Sequence, residues 1–249
     1  MIRRLAFRSA LMGVSLATGF VQAAVAQESA SPSAAASAQA SPAAETRLDR
    51  VERGPIPAGR YLDRSMGRDI SFSIGDGWVS DGPIPDAGFA LIREEAGSPY
   101  FAIAPFHGGV FPAGCPDMSD PAQAEAFEHG ITSIEPSAAA FIEHVSAMPE
   151  LTVTDAIPVE VAGFSGLQLD VTSVDVADDC DPPWAWLMTL PQVGDYHLSE
   201  GVLARVVAFD ADGQTLVAFM EVNPDGDVQV FYELGSAILE SLEIGPLGG

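Results

Sequence analysis

The chain has 249 residues, of which 11 are basic and 35 acidic, and its formal net charge at pH 7 is −24. All of the basic residues are arginine, and no lysine occurs in the sequence. A surface this negative repels phosphate groups, so we expect no nucleic-acid partner, and anionic membranes are poor partners.

The first 26 residues have the pattern of a cleavable secretory signal. Arginines at positions 3, 4 and 8 precede an apolar stretch over residues 10–21, which is too short to span a bilayer. Small residues at positions 24 and 26 predict cleavage after Ala26, and no cysteine follows the apolar stretch to carry a lipid anchor. The sequence therefore predicts a secreted or periplasmic protein with no transmembrane segment in the mature chain. An uncleaved membrane anchor is the alternative.

Residues 27–57 are predicted to be a disordered linker. The part over residues 28–44 is almost entirely alanine, serine, proline and glutamine, with too little bulky apolar surface to offset the entropy of ordering. Residues 58–249 are long enough for a single globular domain, and residues 245–249 are expected to form a frayed tail.

Alternation of apolar and polar residues predicts the first strands of this domain. They are Asp69–Ile74, Gly88–Arg93 and Tyr100–Phe106. Residues 151–174 have the same character around a turn at Gly163–Gly166, and Trp184–Leu190 predicts another strand.

The clearest predicted unit is a β-hairpin near the C-terminus. Leu203–Phe209 and Thr215–Val222 flank the turn Asp210–Gly213. The first of these two strands is apolar on both faces, which is typical of a strand in the middle of a sheet.

Three helices are predicted. Asp120 is a candidate N-cap with Pro121 at the first helical position and Gly130 beyond the end. A second helix follows Pro136, with four apolar residues on one face: Ala138, Phe141, Val145 and Met148. The last helix has five: Val228, Phe231, Leu234, Ile238 and Leu242. The expected fold class is α+β, a single domain with a curved, mainly antiparallel sheet and packed helices.

The order of these segments resembles a known group of proteins. The segments are GRYLDR, SIGDGW, PELTVTDAIPVEVAGFSGLQLDV, VVAFDADGQTLVAFM and AILESLEI. They resemble an uncharacterised family of exported bacterial proteins whose domain is similar to the Mog1/PsbP-like α/β/α sandwich. The resemblance covers about residues 58–244 and implies a fold only, because that group has no agreed activity and no catalytic residues to carry over.

Two cysteines, Cys115 and Cys180, are predicted to form a disulfide. An even pair in an exported chain favours a structural bridge, and the wide separation disfavours a redox-active C-x-x-C site. Closing a loop of this size constrains the unfolded state by roughly 4 kcal/mol in the chain-entropy model.

Four aspartates in one acidic loop are candidate calcium ligands: Asp175, Asp178, Asp179 and Asp181. The alternative is a solvated loop with no bound ion. Asp210, Asp212 and Glu221 mimic an EF-hand, but Thr215 stands where that loop needs glycine. No other cofactor is indicated.

Trp184 and Trp186 lie two apart on a predicted strand and therefore share one face. If exposed, this face is a possible binding surface that would stack on a sugar or on an apolar side chain of a partner; if buried, it is core. Arg205 lies within the predicted central strand and needs a paired carboxylate there.

A serine hydrolase is suggested by His107-Gly108-Gly109 and by Gly163-Phe164-Ser165-Gly166, but the second motif is incomplete. A nucleophile elbow needs glycine where Leu167 stands, and it opens a helix, whereas the residues after Ser165 alternate as a strand. The four histidines at positions 107, 129, 144 and 197 show no zinc-ligand spacing.

The sequence therefore predicts an acidic, secreted, non-enzymatic binding or accessory module for a protein or a cell-envelope component. Two alternatives remain open. One is a hydrolase whose active site matches no known motif, and the other is a calcium-dependent binding module.

Overall fold

The computed structural model describes residues 45–248 except 83, 85, 95–97, 113–119, 123, 126–129, 175–183 and 191–193. The predicted signal over residues 1–26 and the disulfide between Cys115 and Cys180 therefore lie outside the described residues. None of the helices within the described part combines the length and apolar character that crossing a membrane requires.

The described residues form three sheets and two fully bounded α-helices. The strands are β1 (Thr46–Arg47), β2 (Gly54–Ile56), β3 (Gly59–Asp63), β4 (Arg68–Ile74), β5 (Trp78–Ser80), β6 (Phe89–Arg93), β7 (Tyr100–Phe106), β8 (Gly109–Val110), β9 (Thr132–Ser133), β10 (Leu151–Val153), β11 (Ile157–Val161), β12 (Phe164–Ser173), β13 (Trp184–Leu190), β14 (Gly194–Ser199), β15 (Leu203–Ala211), β16 (Gln214–Val222) and β17 (Glu243–Leu247). The helices are α1 (Ala138–Ser146) and α2 (Val228–Glu240), and a 3-10 helix covers Leu48–Arg50.

The large sheet is antiparallel and has the spatial order β10-β12-β15-β16-β7-β6-β5-β2, with β11 also paired to β12. Its centre is the predicted hairpin, β15 and β16. The two strands are joined by Asp212 and Gly213, which both have positive φ, as the tight turn of a twisted hairpin requires. The prediction of a central strand is confirmed, because β15 lies between β12 and β16.

Alternate side chains of this hairpin enter two separate cores, one on each face of the large sheet. The first core contains Phe209 and Met220 and is closed by α2 and by a four-stranded sheet of order β1-β3-β4-β17, which we call the N-terminal sheet. The second contains Phe219 and is closed by α1 and by a sheet of order β14-β13-β8-β9, which we call the hairpin sheet. A stacked ring pair joins the layers on that side, with Tyr196 and Phe219 centroids 3.7 Å apart.

Both α1 and α2 begin at a side chain that caps the backbone. Ser137 accepts a hydrogen bond from the backbone N–H of Ala140 at the start of α1, and Asp227 accepts one from Val230 at the start of α2. Residues 121, 122, 124 and 125 are also helical, and the Asp120 carboxylate accepts from the Ala122 N–H at 2.9 Å, as a cap there predicts.

The expected α+β class, with an α/β/α sandwich of one curved sheet and packed helices, is wrong. The protein is mostly β, with three sheets. The covering layers contain strands as well as a helix on each face. Strands of two to five residues such as β1, β8 and β17 are too short to show a readable alternation, so the sequence-based interpretation assigned the covering layers to the two amphipathic helices.

Both ends of the described chain are integrated into the fold more fully than the sequence predicts. β1 pairs in parallel with β3, and Leu48 is buried, so residues 46–56 of the predicted linker are folded. At the other end β17 pairs with β4, where the sequence predicts a fraying tail from residue 245 onwards. Arg68 donates two hydrogen bonds to the carbonyl oxygen of Gly245 and holds this segment in place.

Candidate functional site

A cluster of aromatic side chains lies on the outer face of the hairpin sheet. In β13 Ala185 and Leu187 point into the second core, so Trp184 and Trp186 point away from it. In β14 Tyr196 and Leu198 point inward, and Asp195 and His197 therefore point outward beside the two tryptophans. We call Phe111, Trp184, Trp186, His197 and Asp195 the aromatic patch.

The rings of the aromatic patch are closely packed. Trp184 and His197 stack in parallel, with centroids 3.8 Å apart and an interplanar angle of 10°. Trp186 lies beside both rings, 5.3 Å from Trp184 and 5.2 Å from His197, and it contacts Phe111 at 5.4 Å. Each ring therefore restrains the orientation of the next.

Asp195 orients the imidazole of His197. The Nδ1 atom of His197 lies 2.7 Å from the Oδ2 atom of Asp195. A carboxylate only accepts hydrogen bonds, so Nδ1 carries the proton and donates it, and Nε2 is left for a second partner. The side chains of His197 and Asp195 are 29% and 26% exposed, which leaves polar atoms at the rim of the stack accessible to a ligand.

The prediction that Trp184 and Trp186 share a face is confirmed, but the two differ in exposure. Trp186 is buried, with 6% of its surface exposed, whereas Trp184 is half-buried. Trp184 is thus the tryptophan that a ligand can reach, and Trp186 supports it from the side. His197 was considered from the sequence only as a zinc ligand, and its place beside the two tryptophans was not predicted. The alternation of Asp195-Tyr196-His197-Leu198 could have identified it, because it indicates a strand.

Comparisons with known proteins do not assign a role to the aromatic patch. Neither a protein-family model nor a curated protein matches the chain. One similar solved structure is the crystal structure of LpqN, involved in cell envelope biogenesis of Mycobacterium tuberculosis. It has 14% sequence identity and a TM-score of 0.37, over 78% of this chain and 91% of that one. At that TM-score the likeness carries no weight for fold or function. The predicted resemblance to Mog1/PsbP-like domains also gains no support from it.

The paired carboxylate expected for Arg205 is confirmed as Asp170, its cross-strand neighbour on β12. The guanidinium donates from Nε to Oδ1 at 2.7 Å and from Nη2 to Oδ2 at 2.9 Å, and this hydrogen bonding raises the pKa of Arg205. The group also lies over the ring of Tyr232, 4.1 Å from its centroid. The guanidinium of Arg205 therefore already has a hydrogen-bonding partner along its edge and an aromatic ring against its face.

The residues that suggested a hydrolase do not form an elbow. Ala162 and Gly163, both with positive φ, make the tight turn between β11 and β12, one residue earlier than expected. Ser165 follows on β12, opposite Glu160 on β11, and it is an exposed strand residue. A hairpin turn is present here, but Phe164, Ser165 and Gly166 of the predicted turn belong to β12.

The calcium prediction concerns Asp175, Asp178, Asp179 and Asp181, which lie outside the described residues. Within the part of the chain that the structure describes, no three histidine, cysteine, aspartate or glutamate side chains converge on a common point. His144 is in the last turn of α1, where burial lowers its pKa.

Proposed function

We propose that this chain is an exported, non-enzymatic binding module, and that the aromatic patch binds an uncharged glycan of the cell envelope. The observation that carries the proposal is the parallel stack of Trp184 and His197, half-buried and with polar groups at its rim. An apolar surface with a few well-placed polar groups is the usual composition of a small-ligand site.

The packing of the patch supports stacking on a flat ligand face. The Trp184 ring is held by His197 on one side and by the edge of Trp186, so little side-chain entropy is lost when a ligand binds. A sugar ring has apolar C–H groups on its faces, which pack on an aromatic surface as other apolar groups do.

The polar atoms at the rim match sugar hydroxyl groups. One carboxylate oxygen of Asp195 holds His197, and the other can accept a hydrogen bond from a hydroxyl group. The Nε2 atom of His197 can accept a second one. The net charge of −24 disfavours acidic polysaccharides, and therefore the proposal specifies an uncharged glycan.

Export places the aromatic patch in the same compartment as the glycans of the cell envelope. The support for export is the sequence pattern of residues 1–26, with its basic start, apolar centre and small residues at the cleavage position. A glycan of the envelope is present in the compartment to which this signal directs the chain.

The test is titration of the purified chain with chitohexaose, cellohexaose and maltohexaose, followed by calorimetry and by tryptophan fluorescence. We expect at least one of them to bind and to change the fluorescence, and Trp184→Ala to weaken that binding by about tenfold or more, because it removes the stacking surface. Val230→Ala, an exposed apolar truncation on α2, is the control and should leave the affinity unchanged.

Two results would overturn the proposal. One is that none of the three oligosaccharides binds. The other is that they bind the Trp184→Ala chain as tightly as the unchanged one while circular dichroism shows both to be folded. Binding of apolar peptides, but not of sugars, at Trp184 would assign the patch to a protein partner instead.

A further inference from the structure

A groove runs along one flank of α2, on the opposite face of the large sheet from the hairpin sheet. Helix α2 packs over β16 and β4, and the sheet continues past the helix through β12 to its edge strand β11. Two cavities of about 350 Å³ and 320 Å³ lie in this gap, and both are lined by Ser236 and Glu240. The two cavities are therefore adjacent, and together we call them the helix groove.

The floor and walls of the helix groove are partly apolar. Val159 and Val161 come from β11, Val207 from β15, and Leu239 from α2. Val159 and Leu239 are only partly buried against the first core, so apolar surface is open to solvent in the groove. A ligand with apolar side chains would remove this surface from water, which is favourable at roughly 25 cal/mol per Å².

The rim of the helix groove is negatively charged. Glu160 lies on the β11 side, and Glu233 and Glu240 lie on the α2 side. None of the three has an ion-pair partner among the described residues; Glu233 accepts only a hydrogen bond from Gln229. Arg205 is the cation in the lining, and its charge is already balanced by Asp170. The groove is therefore complementary to a cation.

We propose that the helix groove binds a basic, amphipathic segment of a partner protein. Lysine or arginine side chains of that segment pair with the three carboxylates, and its apolar side chains cover the valines and the leucine of the floor. A small cation such as a polyamine would satisfy the charges but leave the apolar floor exposed. A second copy of this chain is a poor occupant, because it carries 11 arginines and no lysine against 35 acidic residues.

Fluorescence anisotropy with a short labelled peptide that combines lysine and leucine tests the proposal. The double variant Glu233→Gln/Glu240→Gln should weaken binding by about five- to twenty-fold, because two charge pairs are lost beside a partly desolvated floor. The matched control is Glu52→Gln/Glu143→Gln, which removes the same charge from exposed positions away from the groove and should change the affinity less than twofold.

A comparison of two peptides tests whether the apolar floor of the helix groove contributes to binding. A lysine and serine peptide of the same charge should bind at least fivefold more weakly than the lysine and leucine peptide. If both double variants lose the same amount of peptide affinity, the peptide responds only to the overall charge of the chain. If the two peptides bind with equal affinity, the apolar floor contributes nothing. Either result overturns the proposal.

The helix groove and the aromatic patch are tested independently. Trp184→Ala, which is on the other side of the large sheet, should leave the peptide affinity unchanged, and the groove variants should leave any oligosaccharide affinity unchanged.

Discussion

Arg68 offers the sharpest test of how the C-terminal segment is held. Its side chain is fully buried at the start of β4. The guanidinium donates from Nε and Nη2 to the carbonyl oxygen of Gly245, at 3.0 Å and 2.7 Å, and from Nη1 to that of Ala211, at 2.7 Å. The carboxylate of exposed Asp212 lies 3.9 Å away, so backbone carbonyls provide most of the compensation for the buried charge.

Replacing this arginine by methionine keeps the apolar stem and removes all three hydrogen bonds. A hydrogen bond to a charged group contributes about 1.5–3 kcal/mol, and loss of the donors leaves two carbonyl oxygens without these partners. Part of this loss is offset, because a charge no longer has to be buried; the same burial lowers the pKa of Arg68. We therefore expect Arg68→Met to lower the free energy of unfolding by about 2–4 kcal/mol.

Urea denaturation monitored by tryptophan fluorescence, to which buried Trp78 contributes, measures this change. Arg64→Met is the matched control: Arg64 is half exposed and pairs with exposed Asp69, so its loss should cost less than about 1 kcal/mol.

Removing residues 245–249 should destabilise the protein through the same contacts. The truncation and Arg68→Met together should therefore cost less than the sum of the two separate changes, by about 1 kcal/mol or more. Additive effects, or a cost for Arg68→Met no larger than that for Arg64→Met, would refute the view that Arg68 fastens this segment to the sheet.

Two further predictions concern one carboxyl group and one glycine. Burial raises the pKa of half-buried Glu221 from 4.5 to about 8. Between these two pH values the folded chain retains a proton that the unfolded chain releases. The free energy of unfolding therefore falls as the pH rises through this range. Urea denaturation at pH 5 and at pH 8 measures this fall, which should be about 1–3 kcal/mol larger in the unchanged chain than in Glu221→Gln. If the free energy of unfolding of the two proteins has the same pH dependence, the raised pKa of Glu221 is contradicted. Gly88 has φ +97°, and a Cβ atom there would lie 1.9 Å from the carbonyl oxygen of Ile103, so Gly88→Ala should cost about 3 kcal/mol or more by thermal unfolding. Gly75→Ala, where nothing lies within 4 Å of the added atom, should change stability by no more than about 0.5 kcal/mol, and similar losses at both sites would be the contrary result.

Only part of the candidate site could be predicted from the sequence. Trp184 and Trp186 could be predicted to share a face, because side chains alternate along a strand. Which of them is buried depends on His197 from β14 and on Phe111, the residue that follows β8. The helix groove could not be predicted in the same way, since it exists only because α2 covers part of the large sheet and leaves β11 and β12 beyond its flank.

The sequence by itself determined the elements whose signals are local. The spacing of apolar residues predicts α1 and α2, and the turn residues Asp210–Gly213 predict the hairpin of β15 and β16. Each of these signals acts within a few residues, so it is readable along the chain.

Only the tertiary structure decided how these elements are arranged in layers. The parallel pairing of β1 with β3, the pairing of β17 with β4, and the contact of Arg68 with Gly245 join residues that are far apart in the chain or lie in very short strands. Their stability comes from long-range packing against the first core. A sequence pattern of two to five residues carries too little information to specify that packing, and this is why a mostly β protein with three sheets was expected to be α+β.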